Sequence, residues 1–104
     1  MEYLPLFFDL KQADCLIIGG GDVAYRKAVL LKKADAIIHV VAPNILPEMV
    51  QLVKASAGTL QQRVYDSADL PGNRLVIAAS NDPKINATVA EDARRAGVLV
   101  NVVD

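Results

Sequence analysis

Gly19-Gly20-Gly21-Asp22-Val23-Ala24 follows the apolar run Cys15-Leu16-Ile17-Ile18 directly, which places a G-x-G-x-x-A turn between a buried strand and a helix. Such a turn suits the approach of phosphate. Gly19 permits the sharp exit from the strand, Gly21 lets the backbone come up against a pyrophosphate, and Ala24 is the small residue needed where helix meets sheet. The helix N-terminus then points free N–H groups at the anion. A dinucleotide is the expected ligand class. A plain strand-turn-helix junction shares the spacing, and the turn's context has to separate the two.

Strands and helices alternate on both sides of the turn. Residues 15–18 read as the first strand and 22–33 as a helix, with Ala24, Ala28 and Leu31 at i, i+4 and i+7 against the sheet. Arg26, Lys27, Lys32 and Lys33 form its solvated face. Residues 36–41 make a continuous apolar run around His39, as expected of a parallel strand covered on both sides. Pro43 ends that run. A second helix begins near Pro47, carries Leu46, Val50, Val53 and Ala57 on one stripe, and stops at Gly58. A short strand over 59–64 leads into a turn over 67–73. Residues 75–79 form the next buried strand, and Asp82 caps a helix with Pro83 at its first position. That helix turns Ile85, Val89 and Ala93 inward and stops at Gly97. Residues 98–103 are the last strand, and Asp104 follows.

Five strands joined by helices or turns, with no repeat or linker, describe one α/β domain: a Rossmann-like open parallel sheet with flanking helices. The right-handed crossover rule and the position of the glycine turn predict the strand order 3-2-1-4-5. Ligands of such sheets gather at the carboxyl ends of the strands. The candidate site is therefore residues 19–23, 42–44 and 80–82 with Asp104, and its cofactor contacts are Gly19, Gly20, Gly21, Asp22, Val23, Pro43, Asn44, Ser80 and Asn81. An NAD site commonly has an acid about 20 residues beyond the glycines to hold the ribose. Here the second strand ends Val41-Ala42-Pro43-Asn44, with neither that acid nor an arginine for a 2′-phosphate. The ribose then falls to Asn44 or to backbone around Pro43.

The remaining reactive side chains have plainer roles. Cys15, at the start of an apolar strand, reads as a small buried hydrophobe. His39 is the single histidine, with no second one to complete a metal set, so it reads as a core or edge residue and no metal site is expected. With 104 residues there is room for one domain that buries about two-thirds of its unfolded surface. A composition 53% hydrophobic and 22% charged, with net charge -1, gives no electrostatic case for nucleic acid or an anionic membrane. No apolar run approaches the roughly 20 residues of a membrane span, and residues 4–8 follow Glu2 rather than the basic segment of a signal peptide. A cytoplasmic protein is expected.

Tyr3-Leu4-Pro5-Leu6-Phe7, the run from Cys15 to Ala24, Arg26-Lys27-Ala28 and Asn101-Val102-Val103-Asp104 together resemble the amino-terminal part of siroheme synthase, the precorrin-2 dehydrogenase and sirohydrochlorin ferrochelatase family. The resemblance spans the whole chain, and the lack of an acid after the second strand is what it leads one to expect. Asp35 stands where the family usually has a glycine, a departure that bears on a turn. The resemblance implies oxidation of the tetrapyrrole precorrin-2 to sirohydrochlorin with NAD as hydride acceptor, then insertion of ferrous iron. It further implies that Asp22 and Val23 meet the cofactor, that Pro43 and Asn44 flank its adenosine end, and that Asp104 is the catalytic acid of both reactions. Family members continue past that Asp with a segment that builds the dimer and much of the tetrapyrrole cleft. Residues 1–104 are accordingly expected to be the NAD-binding domain of a larger homodimeric enzyme, inactive by itself. A nucleotide-sensing regulatory module without catalysis is the alternative, although such modules commonly keep the acid that is missing here.

Overall fold

Apolar residues that alternate around a strand must be covered on both sides, and this requirement sets the architecture. A computed structural model describes residues 7–103. The elements run β1 (Asp14–Ile18), α1 (Asp22–Lys33), β2 (Ile37–Val41), α2 (Pro47–Ala55), β3 (Leu60–Gln61), β4 (Leu75–Ala78), α3 (Pro83–Ala96) and β5 (Leu99–Val102). The five strands form one parallel sheet in the order β3-β2-β1-β4-β5, as the sequence predicts. Cys15, Ile17, Ile38 and Val40 face α1 and α2, where they pack on Ala24, Ala28, Leu31, Met49 and Val53. Leu16, Ile18, Val41, Val76 and Ala78 face the other way, onto Val89 and Ala93 of α3 and Leu70 of the β3–β4 connection. Among the described residues no helix is long and apolar enough to cross a membrane.

Helix α1 buries Ala24, Ala28 and Leu31 as its spacing requires. At its exit Asp35 has φ 60, the left-handed conformation for which glycine is the usual choice. Asp can adopt it at modest cost, and here Asp35 also receives the Gln12 side chain at 3.2 Å and the Gln12 backbone N–H at 2.8 Å.

Three sequence expectations need correction in the α2–β3 region. The buried positions of α2 are Met49 and Val53; Leu46 and Val50 are only partly covered, and Ala57 is exposed beyond the helix end. Pro47 at the first turn sets the helical phase, and i, i+4 spacing from Met49 follows. Gly58 does not supply the left-handed stop, because Ala57 takes that conformation at φ 62. Gly58 is needed for a different reason: a Cβ there would run into the Ile38 carbonyl and lie 3.0 Å from the Ile38 nitrogen. The strand expected over 59–64 shortens to Leu60–Gln61. Arg63 N–H donates back to the Gln61 carbonyl at 3.1 Å, which turns the chain out of the ladder. The Arg63 guanidinium then donates to Asp69 at 2.9 Å, and a capping box between Asp66 and Asp69 fixes a short 3-10 turn over Ser67–Asp69. Tyr65 on this connection donates its hydroxyl to Asp92 of α3 at 2.8 Å.

Helix α3 begins and ends where the sequence places its signals. Asp82 accepts from the Lys84 N–H at 2.9 Å, Pro83 is the first helical residue, and Gly97 closes the helix at φ 70. His39 lies half-exposed on the sheet with Nε2 2.8 Å from Asp14 and Nδ1 2.7 Å from Thr59, so both ring nitrogens are occupied away from the strand ends.

Candidate functional site

The strand register brings the carboxyl ends to one edge: Ile18 lies beside Val41 and Ala78, Val41 beside Gln61, and Ala78 beside Val102. The residues that follow line a crevice of about 1000 Å³. Gly19, Gly20, Gly21, Asp22 and Val23 enter it after β1, Pro43 and Asn44 after β2, and Ser80 and Asn81 after β4. Asp104 lies outside the described residues. Its neighbour Val103 lines the crevice and donates its N–H to the Ala78 carbonyl at 3.0 Å.

The three glycines differ in what they do. Gly19 has φ 136, and a Cβ on it would sit 2.6 Å from the Ala79 carbonyl carbon and 2.9 Å from the Ser80 nitrogen. Gly20 lies against the Asn44 carbonyl and 2.8 Å, measured from a notional Cβ, from Ile45 Cα; its own carbonyl accepts from the Leu46 N–H at 2.9 Å. Gly21 has ordinary dihedrals and nothing within 4 Å of where a Cβ would be. It is the N-cap of α1, and no side chain caps that helix end. The helix therefore presents uncapped backbone N–H groups and the positive end of its dipole to open space beside Gly21. A pyrophosphate fits that space, and a side chain would fill it.

Among the described residues that line the crevice there is no lysine, arginine or histidine, and the acids Asp22 and Asp82 are present. Any phosphate held here would be met by backbone and dipole. Pro43 and Asn44 share the described lining with no basic side chain that would favour a 2′-phosphate. Asp82 is committed to the Lys84 N–H as a helix cap. Burial, followed by the hydrogen bond to Asp92, pushes the Tyr65 phenol far above its ordinary range, and its one O–H is committed to Asp92.

Several lining residues have no sequence signal of their own. Val64 and Tyr65 arrive by the crossover from β3, and Ile85 and Val102 contribute apolar wall. Asn86 could have been noticed: it is a polar residue three positions before Val89 on the inward stripe of α3, and it is buried.

The family model described as "Putative NAD(P)-binding" matches residues 6–104, nearly the entire chain. The chain belongs to this family of NAD(P)-binding domains. Relatives of this NAD(P)-binding domain include the siroheme synthases of Stutzerimonas stutzeri (53% identical), Saccharophagus degradans (50%) and Pseudomonas fluorescens strain SBW25 (49%), each aligned over 104 residues and 100% of this chain. The domain spans 22–23% of the length of these relatives. Among solved structures it is similar to SirC, a precorrin-2 dehydrogenase, with a TM-score of 0.78 and 25% identity over 95% of this chain and 48% of that one.

Proposed function

We propose that residues 1–104 are the NAD-binding domain of a siroheme synthase, which oxidises precorrin-2 to sirohydrochlorin and then assists insertion of ferrous iron. The observation that carries this reading is the open space beside Gly21 at an uncapped helix N-terminus, in a crevice without basic side chains. The similarity of the whole of this chain to part of the siroheme synthases and the likeness to SirC support the substrate class. A regulatory nucleotide sensor is not favoured by those relationships.

In this scheme NAD, when bound, accepts the hydride released by the tetrapyrrole. The Gly19–Val23 turn holds its pyrophosphate, Asp22 and Val23 contact it from the start of α1, and Pro43 and Asn44 flank the adenosine end. Ser80 and Asn81 line the neighbouring wall. Asp104 takes the proton that leaves as the hydride is lost, and later the pyrrole N–H protons displaced by iron, roles suited to a carboxylate. Iron is a substrate here and not a resident metal. The intact enzyme is read as a cytoplasmic homodimer whose further segments complete the tetrapyrrole cleft.

The test is the intact protein incubated with precorrin-2 and NAD. NADH absorbance should rise together with the sirohydrochlorin spectrum, and addition of ferrous iron should then convert that spectrum to siroheme's. NAD binding without either product would sink the dehydrogenase and leave a nucleotide-binding module.

A further inference from the structure

Asn86 is buried in the first turn of α3 and engages both polar ends of its amide with one residue. Its Oδ1 accepts the Ser80 N–H at 2.9 Å, and its Nδ2 donates to the Ser80 carbonyl at 3.0 Å. A side chain that occupies both backbone groups of a loop residue fixes that residue as a neighbouring strand would. Ser80 in turn closes the loop on itself: its hydroxyl accepts from the Asp82 N–H at 2.9 Å and donates to the Asp82 carbonyl at 3.1 Å.

On its other side the same Ala79–Ser80 peptide is what Gly19 rests against, so closely that any Cβ on Gly19 would overlap it. Ala79 also donates its N–H to the Ile18 carbonyl at 2.9 Å, which ties the end of β4 to the residue before the glycine turn. The peptide is thus held between Asn86 and the turn. Asn86 faces no charged partner in this arrangement; its hydrogen bonds are to backbone alone.

We propose that Asn86 is a positioning residue for the cofactor site, which holds the Ala79–Ser80 peptide in place so that the glycine turn presents Gly21 to the pyrophosphate. The proposal rests on the reading of the crevice as the NAD site. A helix that needed only packing at this position would be served by an aliphatic residue, as it is at Val89. An amide here instead satisfies a loop N–H and carbonyl that an aliphatic side chain would leave unpaired.

The experiment compares the parent intact protein with Asn86→Leu, Asn86→Asp and Val89→Ala. NAD is titrated by calorimetry at a temperature where circular dichroism shows each variant folded. Asn86→Leu removes both hydrogen bonds and should weaken NAD binding about tenfold or more. Asn86→Asp keeps the acceptor for the Ser80 N–H and should lose less. Val89→Ala makes a cavity in the same helix and should lower the thermal midpoint while NAD affinity stays near the parent's. In the ligand-free protein, amide hydrogen exchange at Gly19, Gly20 and Gly21 should quicken in both Asn86 variants and not in Val89→Ala. Parent-like NAD affinity and parent-like exchange at the turn in a folded Asn86 variant would overturn the proposal. If Asn86→Leu does not fold, Asn86→Asp decides it. If the parent itself fails to bind NAD, the cofactor reading falls, and the exchange rates still decide whether Asn86 positions the turn.

Discussion

Gly20 and Asn44 meet backbone to backbone, with no room between them for a methyl group, whereas Gly21 one residue later faces open space. The first contact fixes the glycine turn to the end of β2, and the second position is left free for a ligand. Adjacent glycines therefore answer to different requirements, one of stability and one of binding.

Gly20→Ala should destabilise the fold, because the added methyl has only main chain to push against. Overpacking of this kind costs roughly 1–3 kcal/mol. Thermal unfolding measures it, and an unchanged midpoint would mean that the two loops separate freely.

Gly21→Leu should do the opposite. The fold should persist, since nothing stands within 4 Å, while a side chain in the phosphate space abolishes NAD binding. Calorimetric titration of the folded variant is the measurement; undiminished affinity would remove the phosphate role from this turn.

NAD should bind more tightly than NADP, because no basic side chain among the described residues lines the crevice to receive a 2′-phosphate. Asn44→Arg should narrow that preference. Direct titration with both nucleotides checks it, and equal or tighter NADP binding by the parent would show that the ribose lies elsewhere.

Asp104→Ala, in the intact enzyme, should impair both dehydrogenation and iron insertion while leaving NAD affinity nearly unchanged. A general acid/base contributes on the order of 10² to 10⁴ in rate. Steady-state turnover reads the loss, and a drop of less than about tenfold would assign Asp104 to substrate positioning.

The Arg63–Asp69 pair predicts a pH dependence of stability. The Arg63 hydrogen bond holds the Asp69 carboxyl below its ordinary range. Its contribution is therefore complete above the unfolded value of about 3.9 and is lost as pH falls through the lower folded value. Asp69→Asn should be less stable than the parent at neutral pH, with the difference between thermal midpoints shrinking below about pH 4. A difference that stays constant into strong acid would mean that neither Arg63 nor the Asp66 N–H stabilises the ionised Asp69 carboxylate.

The sequence by itself determined the order of elements, the strand order and the place of the glycine turn, because these rest on signals carried by neighbouring residues. Unbroken apolar runs mark buried parallel strands, Asp82-Pro83 and Gly97 mark the ends of α3, and the crossover rule leaves few ways to connect such strands. The places of Gly19–Val23, Pro43, Asn44, Ser80 and Asn81 along the crevice were legible for the same reason, since each follows closely on a strand end. What lay beyond local signals was decided by contacts between distant parts of the chain. The shortness of β3 depends on Arg63 finding Asp69, and the need for Gly58 depends on the Ile38 backbone passing beside it. The distinct duties of Gly19, Gly20 and Gly21 depend on where Ala79 and Asn44 come to rest. Asn86 gains its meaning only from the Ser80 peptide that folding brings within hydrogen-bond reach. Periodicity reports which side of an element is covered; close approach of backbone to backbone is set by the packing of whole elements, and only the tertiary structure contains it.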